Sequence, residues 1–199
     1  MEDVPGEVRG LLSGPARWSK LSPYILPIGQ EIAATPIQLA VMTAVIANGG
    51  LRVRPYLVDR IQTPDGLVVR SHGDPERVRV ISPETAGTLQ RILSAVVESG
   101  TGQLAKVEGL TVAGKTGTAQ KLEPTGRYSH SRFVASFVGF GPVPDSRFVI
   151  VVSMDEPRPL YFGGVVAAPM FKRVVERLRG YWELESAHEP AGSAARRHG

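Results

Sequence analysis

Gly109, followed after four residues by Gly114-Lys115-Thr116 and then Gly117-Thr118-Ala119-Gln120, is the stretch that most narrows the folds open to this chain. Its spacing fits a phosphate loop, in which a buried strand leads into glycines and the loop opens a helix whose first amides hold phosphate oxygens. The same residues fit the middle of a β-strand. The first reading demands a parallel nucleotide-binding sheet, the second does not. The flanks decide for the strand. Ser99-Gly100-Thr101-Gly102-Gln103 is no strand, and Gly117 to Pro124 is too short and broken for a helix. Leu110-Thr111-Val112-Ala113 alternates as a strand does, where a loop would be needed. Only the apolar run Val149 to Met154 with Asp155-Glu156 at its end resembles the magnesium-binding strand of a nucleotide enzyme. A nucleotide-binding protein is therefore the remote alternative.

Leu110 to Lys121 is the first of three β-prone segments; Phe133 to Phe140 and Phe148 to Met154 follow. Gly126 lies in one connection and Pro142-Val143-Pro144-Asp145 makes the other, so two hairpins of an antiparallel sheet are expected. Upstream, Thr35-Pro36-Ile37-Gln38 opens a helix with a capping box and proline in its first turn, and Asn48-Gly49-Gly50 closes it. Apolar residues surround most of that helix, which predicts burial. Tyr56 to Ile61 and Leu67 to Arg70 flank Pro64-Asp65-Gly66 as a small hairpin. Ser82-Pro83 starts a second helix with one apolar stripe, ended by Gly100, and a last helix is expected from about Ala168 to Trp182. The expected organisation is a connecting segment over 1–30, a folded part over 31–185 and a disordered tail over 186–199. Together these make an α/β chain of the α+β type, an antiparallel sheet with packed helices.

The sequence excludes several chemistries. It has no cysteine, so disulfides, thiolate metal sites and cysteine nucleophiles are absent. A net charge of +4 comes without any lysine–arginine block or aromatic–basic stripe, which gives nucleic-acid binding no support. The longest apolar run, Leu39 to Ala47, is too short to cross a bilayer, and Met1 to Gly6 lacks the form of a signal peptide. His72, His130, His188 and His198 are scattered, giving neither a metal set nor a Ser-His-Asp triad. Asp155-Glu156 reads as a solvated turn, Arg127 to Arg132 as a surface loop after the motif strand, and Trp18 and Trp182 as packing residues.

As a strand, the motif carries one cation, two hydroxyls and glycines. Thr116 and Thr118 share a face; Lys115 and Gly117 fall on the other unless the strand end twists the lysine across. Gly114 and Gly117 leave room for a peptide backbone to approach, and the set suits an anionic ligand end and a developing oxyanion. These residues alone equally fit a plain glycine-containing edge strand with an exposed lysine.

Their surroundings resemble a known family. Ile28 to Ala40 with Ala47-Asn48-Gly49-Gly50 is similar to a helix segment of class B penicillin-binding proteins. Ser99-Gly100-Thr101-Gly102 and Val112 to Gln120 resemble their glycine-threonine-glycine element and lysine-threonine-glycine strand. Phe137 to Phe140, Tyr161 to Gly164 and Ala167 to Phe171 extend the likeness, especially to the cell-division branch, from about Leu26 to Tyr181.

The resemblance implies the penicillin-binding transpeptidase, serine β-lactamase-like fold, here its C-terminal part. It implies a peptidoglycan D,D-transpeptidase in which a serine attacks the D-Ala-D-Ala end of a stem peptide and β-lactams acylate the same serine, with no cofactor. By position, Lys115 would support the polar network and the substrate carboxylate, Thr116 and Thr118 would bind that carboxylate, and Gly117 would permit close approach. Full-length relatives would be anchored at the extracytoplasmic face of the bacterial membrane, among cell-wall synthesis proteins. The chain departs from the family pattern in two places. No serine precedes a lysine by three positions, and the only asparagine, Asn48, has Ile46 two before it, so Ser-x-x-Lys and Ser-x-Asn are both missing. The expectation is one wall of an active site, inactive alone, its sheet bare of helices on one face. A non-catalytic peptide- or partner-binding fragment is the alternative.

Overall fold

The computed structural model describes residues 6–73 and 75–187, with side chains as far as residue 181. The N-terminal segment is not a plain loop. Strand β1 (Leu11–Leu12) pairs antiparallel with β2 (Ile32–Ala33), and between them lie a 3-10 turn (Pro15–Arg17), the one-turn helix α1 (Ser22–Ile25) and a second 3-10 turn (Leu26–Ile28). Its one buried residue of note, Ser22, donates to Glu31 and accepts from the Ser19 amide, which gathers the segment into a knot. Apolar periodicity cannot reveal such local polar structure.

Helix α2 (Pro36–Ala47) begins as the sequence predicts: Thr35 accepts from the Gln38 amide at 3.2 Å and the Gln38 side chain accepts from the Thr35 amide at 2.9 Å. Gly49 and Gly50 end it at φ 63° and 96°. Expected burial is only half met. Thr43, Val45 and Ala47 are buried, whereas Met42 is 57% exposed. Strand β3 (Leu51–Val53) then pairs with β6 (Arg77–Arg79), which the sequence does not announce because each strand has only three residues and the two lie far apart along the chain. Between them stands the hairpin of β4 (Arg60–Gln62) and β5 (Val68–Ser71); its first strand starts at Arg60 rather than Tyr56. Helix α3 (Pro83–Ser99) is capped by the Ser82 hydroxyl, which accepts from the Thr85 amide.

The central sheet is antiparallel in the order β7-β8-β9, with β7 (Ala113–Leu122) at an edge, β8 (Tyr128–Gly141) in the middle and β9 (Phe148–Asp155) outside. Both expected hairpins are present, and a strand rather than a phosphate loop follows Gly109. The last helix, α4 (Gly163–Ala187), starts five residues before the expected start and runs past Trp182. Gly163-Gly164 are poor helix formers and Pro169 suits a first turn, so the sequence points too late; in the fold Pro169 lies inside the helix. Of the expected tail, residues 186 and 187 belong to this helix, and 188–199 with His188 and His198 lie outside the described residues.

Alternation along β8 builds two cores. Phe137 faces α4 and is buried with Phe171, Ala167, Ala168 and Val175, joined by Val97 of α3 and Val112. Phe140 faces the opposite way and is buried with Ala113 and Ala47, beside Ile46, Leu93 and Val149. On this side α2 packs on β8 and β9 rather than on β7, so the face expected to be bare is covered in part, and further apolar surface lies on the outer side of α2. Burying Phe137 and Phe171 is worth roughly 2–3 kcal/mol apiece. No helix among the described residues is long and apolar enough to cross a membrane.

Candidate functional site

β7 has one paired edge. Its register sets Thr116 opposite Phe137, Gly117 opposite Ser136 and Thr118 opposite Ala135. Directly opposite residues share a face, so Gly114, Thr116 and Thr118 lie on the α4 side, and Ala113, Lys115 and Gly117 on the α2 side. The expected parity holds. Lys115 nevertheless reaches Thr116: its ammonium donates to the Thr116 carbonyl at 3.1 Å and to the Thr116 hydroxyl at 3.4 Å. The lysine folds along its own strand, bringing its charge to the threonine hydroxyl.

A second element delivers a hydroxyl that the motif does not contain. After α3, the amides of Gly100 and Gly102 both donate to the Val96 carbonyl, at 3.1 and 3.0 Å, in a tight reversal. A Cβ on Gly100 would stand 2.9 Å from Val96 Cα, and one on Gly102 would stand 3.2 Å from Phe137. The reversal places the Thr101 hydroxyl 2.9 Å from that of Thr116. Since ammonium cannot accept, Lys115, Thr116 and Thr101 form a polar chain beginning at a cation.

The third contribution is the start of α4. The first amides of a helix lack internal partners. Here the Gly163 amide donates to Thr118 Oγ1 at 3.1 Å, so a strand hydroxyl caps the helix. That contact needs glycine. A Cβ on Gly163 would overlap the carbonyls of Gly117 and Ser136, and one on Gly164 would stand 2.5 Å from the Thr101 carbonyl. Because the Thr118 oxygen accepts from Gly163, its own proton remains available to an anion, and the positive end of the helix lies beside it.

Gly117 lies on the expected face, against its cross-strand neighbour. Its missing side chain faces Ser136 Oγ, which a Cβ would overlap, and a Cβ on Gly114 would stand 2.6 Å from Phe137 Cζ. Both glycines thus answer to cross-strand packing, and nothing about them on the α4 side measures room for a ligand.

The site is flanked by rings. Phe133 of β8 stacks on Tyr161 with centroids 4.2 Å apart, and Tyr161 lies 4.5 Å from Phe162. Phe162 is 53% exposed immediately before Gly163. Sequence reading placed Thr101, Tyr161 and Phe162 only within family-like segments, not at the site. The signals were local: a Gly-Thr-Gly reversal and a Gly-Gly helix start.

Charges close the far end of β7. Lys121 donates to Asp155 at 2.9 and 3.1 Å and to Glu156 at 2.8 Å, and Arg132 pairs with Glu123. Asp155-Glu156 is therefore an ion-paired strand end, and Tyr128 to Arg132 belongs to β8 rather than to a loop. The Ser129 hydroxyl donating to Glu123, and then the Arg132 guanidinium, hold that carboxyl below the usual glutamate value. Bonds to Glu156 and then Asp155 raise the Lys121 ammonium above its usual value.

Comparison with known proteins relates the fold to a family. Residues 2–176 match the penicillin binding protein transpeptidase domain. Penicillin-binding protein PbpB of Mycolicibacterium smegmatis is 42% identical over 197 residues, covering 94% of this chain and 30% of the relative. Stage V sporulation protein D of Bacillus subtilis is 35% identical over 175 residues, 87% of this chain and 27% of that protein. The crystal structure of penicillin binding protein 3 from Mycobacterium tuberculosis complexed with ampicillin superposes with a TM-score of 0.83 at 35% identity, covering 90% of this chain and 42% of the other. The chain spans less than half the length of these relatives.

Proposed function

Since this chain belongs to the penicillin-binding protein transpeptidase domain family, we propose that it forms the substrate-binding wall of a peptidoglycan D,D-transpeptidase. The ligand is the D-Ala-D-Ala end of a stem peptide, and β-lactams compete for the same wall. One observation carries the reading. Three hydroxyls, those of Thr101, Thr116 and Thr118, and the Lys115 ammonium line one edge strand, with the Gly163 amide holding the Thr118 oxygen. A terminal carboxylate is the group that such a set of donors suits, because charge-assisted hydrogen bonds are about twice as strong as neutral ones. The strand edge supplies backbone partners for an extended peptide.

In this reading the acyl-transfer serine and its lysine come from residues outside these 199, since neither Ser-x-x-Lys nor Ser-x-Asn occurs among them. The wall then positions the peptide and stabilises charge while another element attacks the carbonyl. A whole protein of this kind works at the extracytoplasmic face of a bacterial membrane beside other cell-wall enzymes.

Two measurements test the reading. Titration of the chain with diacetyl-L-Lys-D-Ala-D-Ala should show saturable binding, weakened about tenfold or more by Thr118→Val and by Lys115→Ala, as for hydrogen bonds to a charged group. The amidated peptide should bind no better than the variants bind the acid. A reporter penicillin should leave the intact mass unchanged. A stoichiometric adduct on one of the chain's own serines would overturn the external nucleophile, and equal binding of acid and amide would overturn the carboxylate site.

A further inference from the structure

Lys121 stands three residues beyond Thr118 on β7 and touches none of the donors just described. Its ammonium binds Asp155 through both carboxylate oxygens and Glu156 through Oε1. Arg132 Nη1 approaches the same Glu156 oxygen at 3.9 Å. Glu156 itself has φ 48°, a left-handed conformation that a residue with a side chain adopts at a cost. Its amide donates to the Phe133 carbonyl at 2.9 Å. The chain thus leaves β9 by a bend tied, through backbone and side chain, to the β7–β8 pair.

From that bend the chain passes Pro157 and Pro159, whose φ angles are fixed by their rings, and reaches Tyr161, which stacks on Phe133. Two residues later the Gly163 amide meets Thr118. The connection is therefore fastened at its start by Lys121 and at its end by Thr118, two residues of one strand. With few free torsions between, moving the start moves the end.

We propose that Lys121 is a positioning residue for Thr118: by gripping Asp155 and Glu156 it sets the course of the 156–162 connection, which holds the Gly163 amide on the Thr118 oxygen and leaves the Thr118 proton free for an anionic ligand group. The inference rests on the reading of Thr118 as a carboxylate-binding hydroxyl. A surface ion pair serving only general stability would act on all parts of the fold alike. A positioning role acts on Gly163 first.

The test uses the full 199-residue chain labelled with nitrogen-15, following amide exchange at Gly163 and in α2 and α3, together with titration by diacetyl-L-Lys-D-Ala-D-Ala. Lys121→Met should speed exchange at Gly163 relative to α2 and α3, and weaken peptide binding by roughly two- to fivefold, the range of an exposed ionic network. Lys121→Arg should restore both. If Lys121→Met does not fold, Asp155→Asn with Glu156→Gln removes the charges while keeping shape, and is read in the same way. Unchanged Gly163 exchange, or exchange rising equally everywhere, overturns the positioning role. Failure of the unsubstituted chain to bind peptide overturns the carboxylate reading instead, and the Gly163 comparison still decides whether Lys121 holds the connection.

Discussion

Two glycines in this chain make opposite demands on a side chain. Gly163 lies where the start of α4 presses on the β7–β8 pair, so the methyl of Gly163→Ala would overlap the carbonyls of Gly117 and Ser136. The helix start must retreat, and the hydrogen bond to Thr118 goes with it. Denaturant unfolding should show a loss of about 1–3 kcal/mol, the usual cost of overpacking. Gly87, inside α3, meets only the Arg91 guanidinium at an ordinary 3.8 Å. Gly87→Ala should stabilise by about 0.5–1 kcal/mol, through helix propensity alone. At this scale the sequence was a fair guide to which face of β7 carries Lys115, Thr116 and Thr118, since parity along a strand follows from counting. It could not show that Gly117 answers to Ser136, nor that Thr101 lies beside Thr116 from 15 residues away. Both depend on a register and a helix position that no local pattern encodes.

Among the elements, the β7–β8 hairpin carries a charge-dependent end. Ser129 accepts from the amides of Ser131 and Arg132 and donates its own hydroxyl hydrogen bond to Glu123, which Arg132 also holds. A carboxylate kept below its ordinary value stabilises the fold above that value, and the contribution disappears as pH falls through the folded-state value. Acidification past the usual glutamate range should therefore loosen the hairpin end before the core. Carbon-detected titration of Glu123 should give a midpoint below that of an exposed glutamate, with amide exchange at 121–128 rising in parallel. Elements with strong punctuation were legible: the Thr35–Gln38 box, the Ser82 cap and the turns about Gly126 and Pro142 all stand where the residues say. The start of α4 was not, because packing against Thr118 and Thr101 overrides the poor propensity of Gly163-Gly164. β3 and β6 were missed because each is only three residues long and the two meet across the whole β4–β5 hairpin, so no turn beside either announces the pairing.

For the molecule as a whole, α2 is apolar on more sides than the described residues cover. Its inner side joins Phe140 and Ala113, and its outer side, with Ile37, Val41 and Met42, faces a groove of about 440 Å³ bounded by Pro55 and Val80. Contiguous apolar surface of this kind promotes association. Met42→Gln should reduce binding of a hydrophobic dye and raise the monomer fraction in size-exclusion chromatography. The unfolding free energy should stay within about 0.5 kcal/mol, as for an exposed substitution. The sequence pattern announced a buried helix, and the structure explains the discrepancy: a pattern reports which surface seeks cover, not which surface has found it.

The way Lys115 lies along its own strand has a consequence for how copies of the protein treat one another. An exposed strand edge offers the same backbone groups to a ligand and to a second edge of its own kind. Two β7 edges brought together would set ammonium against ammonium, while an incoming chain that ends in a carboxylate meets a cation. The Thr116 carbonyl that Lys115 occupies at 3.1 Å is meanwhile kept in company. On the proposed reading one side chain would sort visitors by the sign of their charge, favouring an anion-tipped strand over its own image.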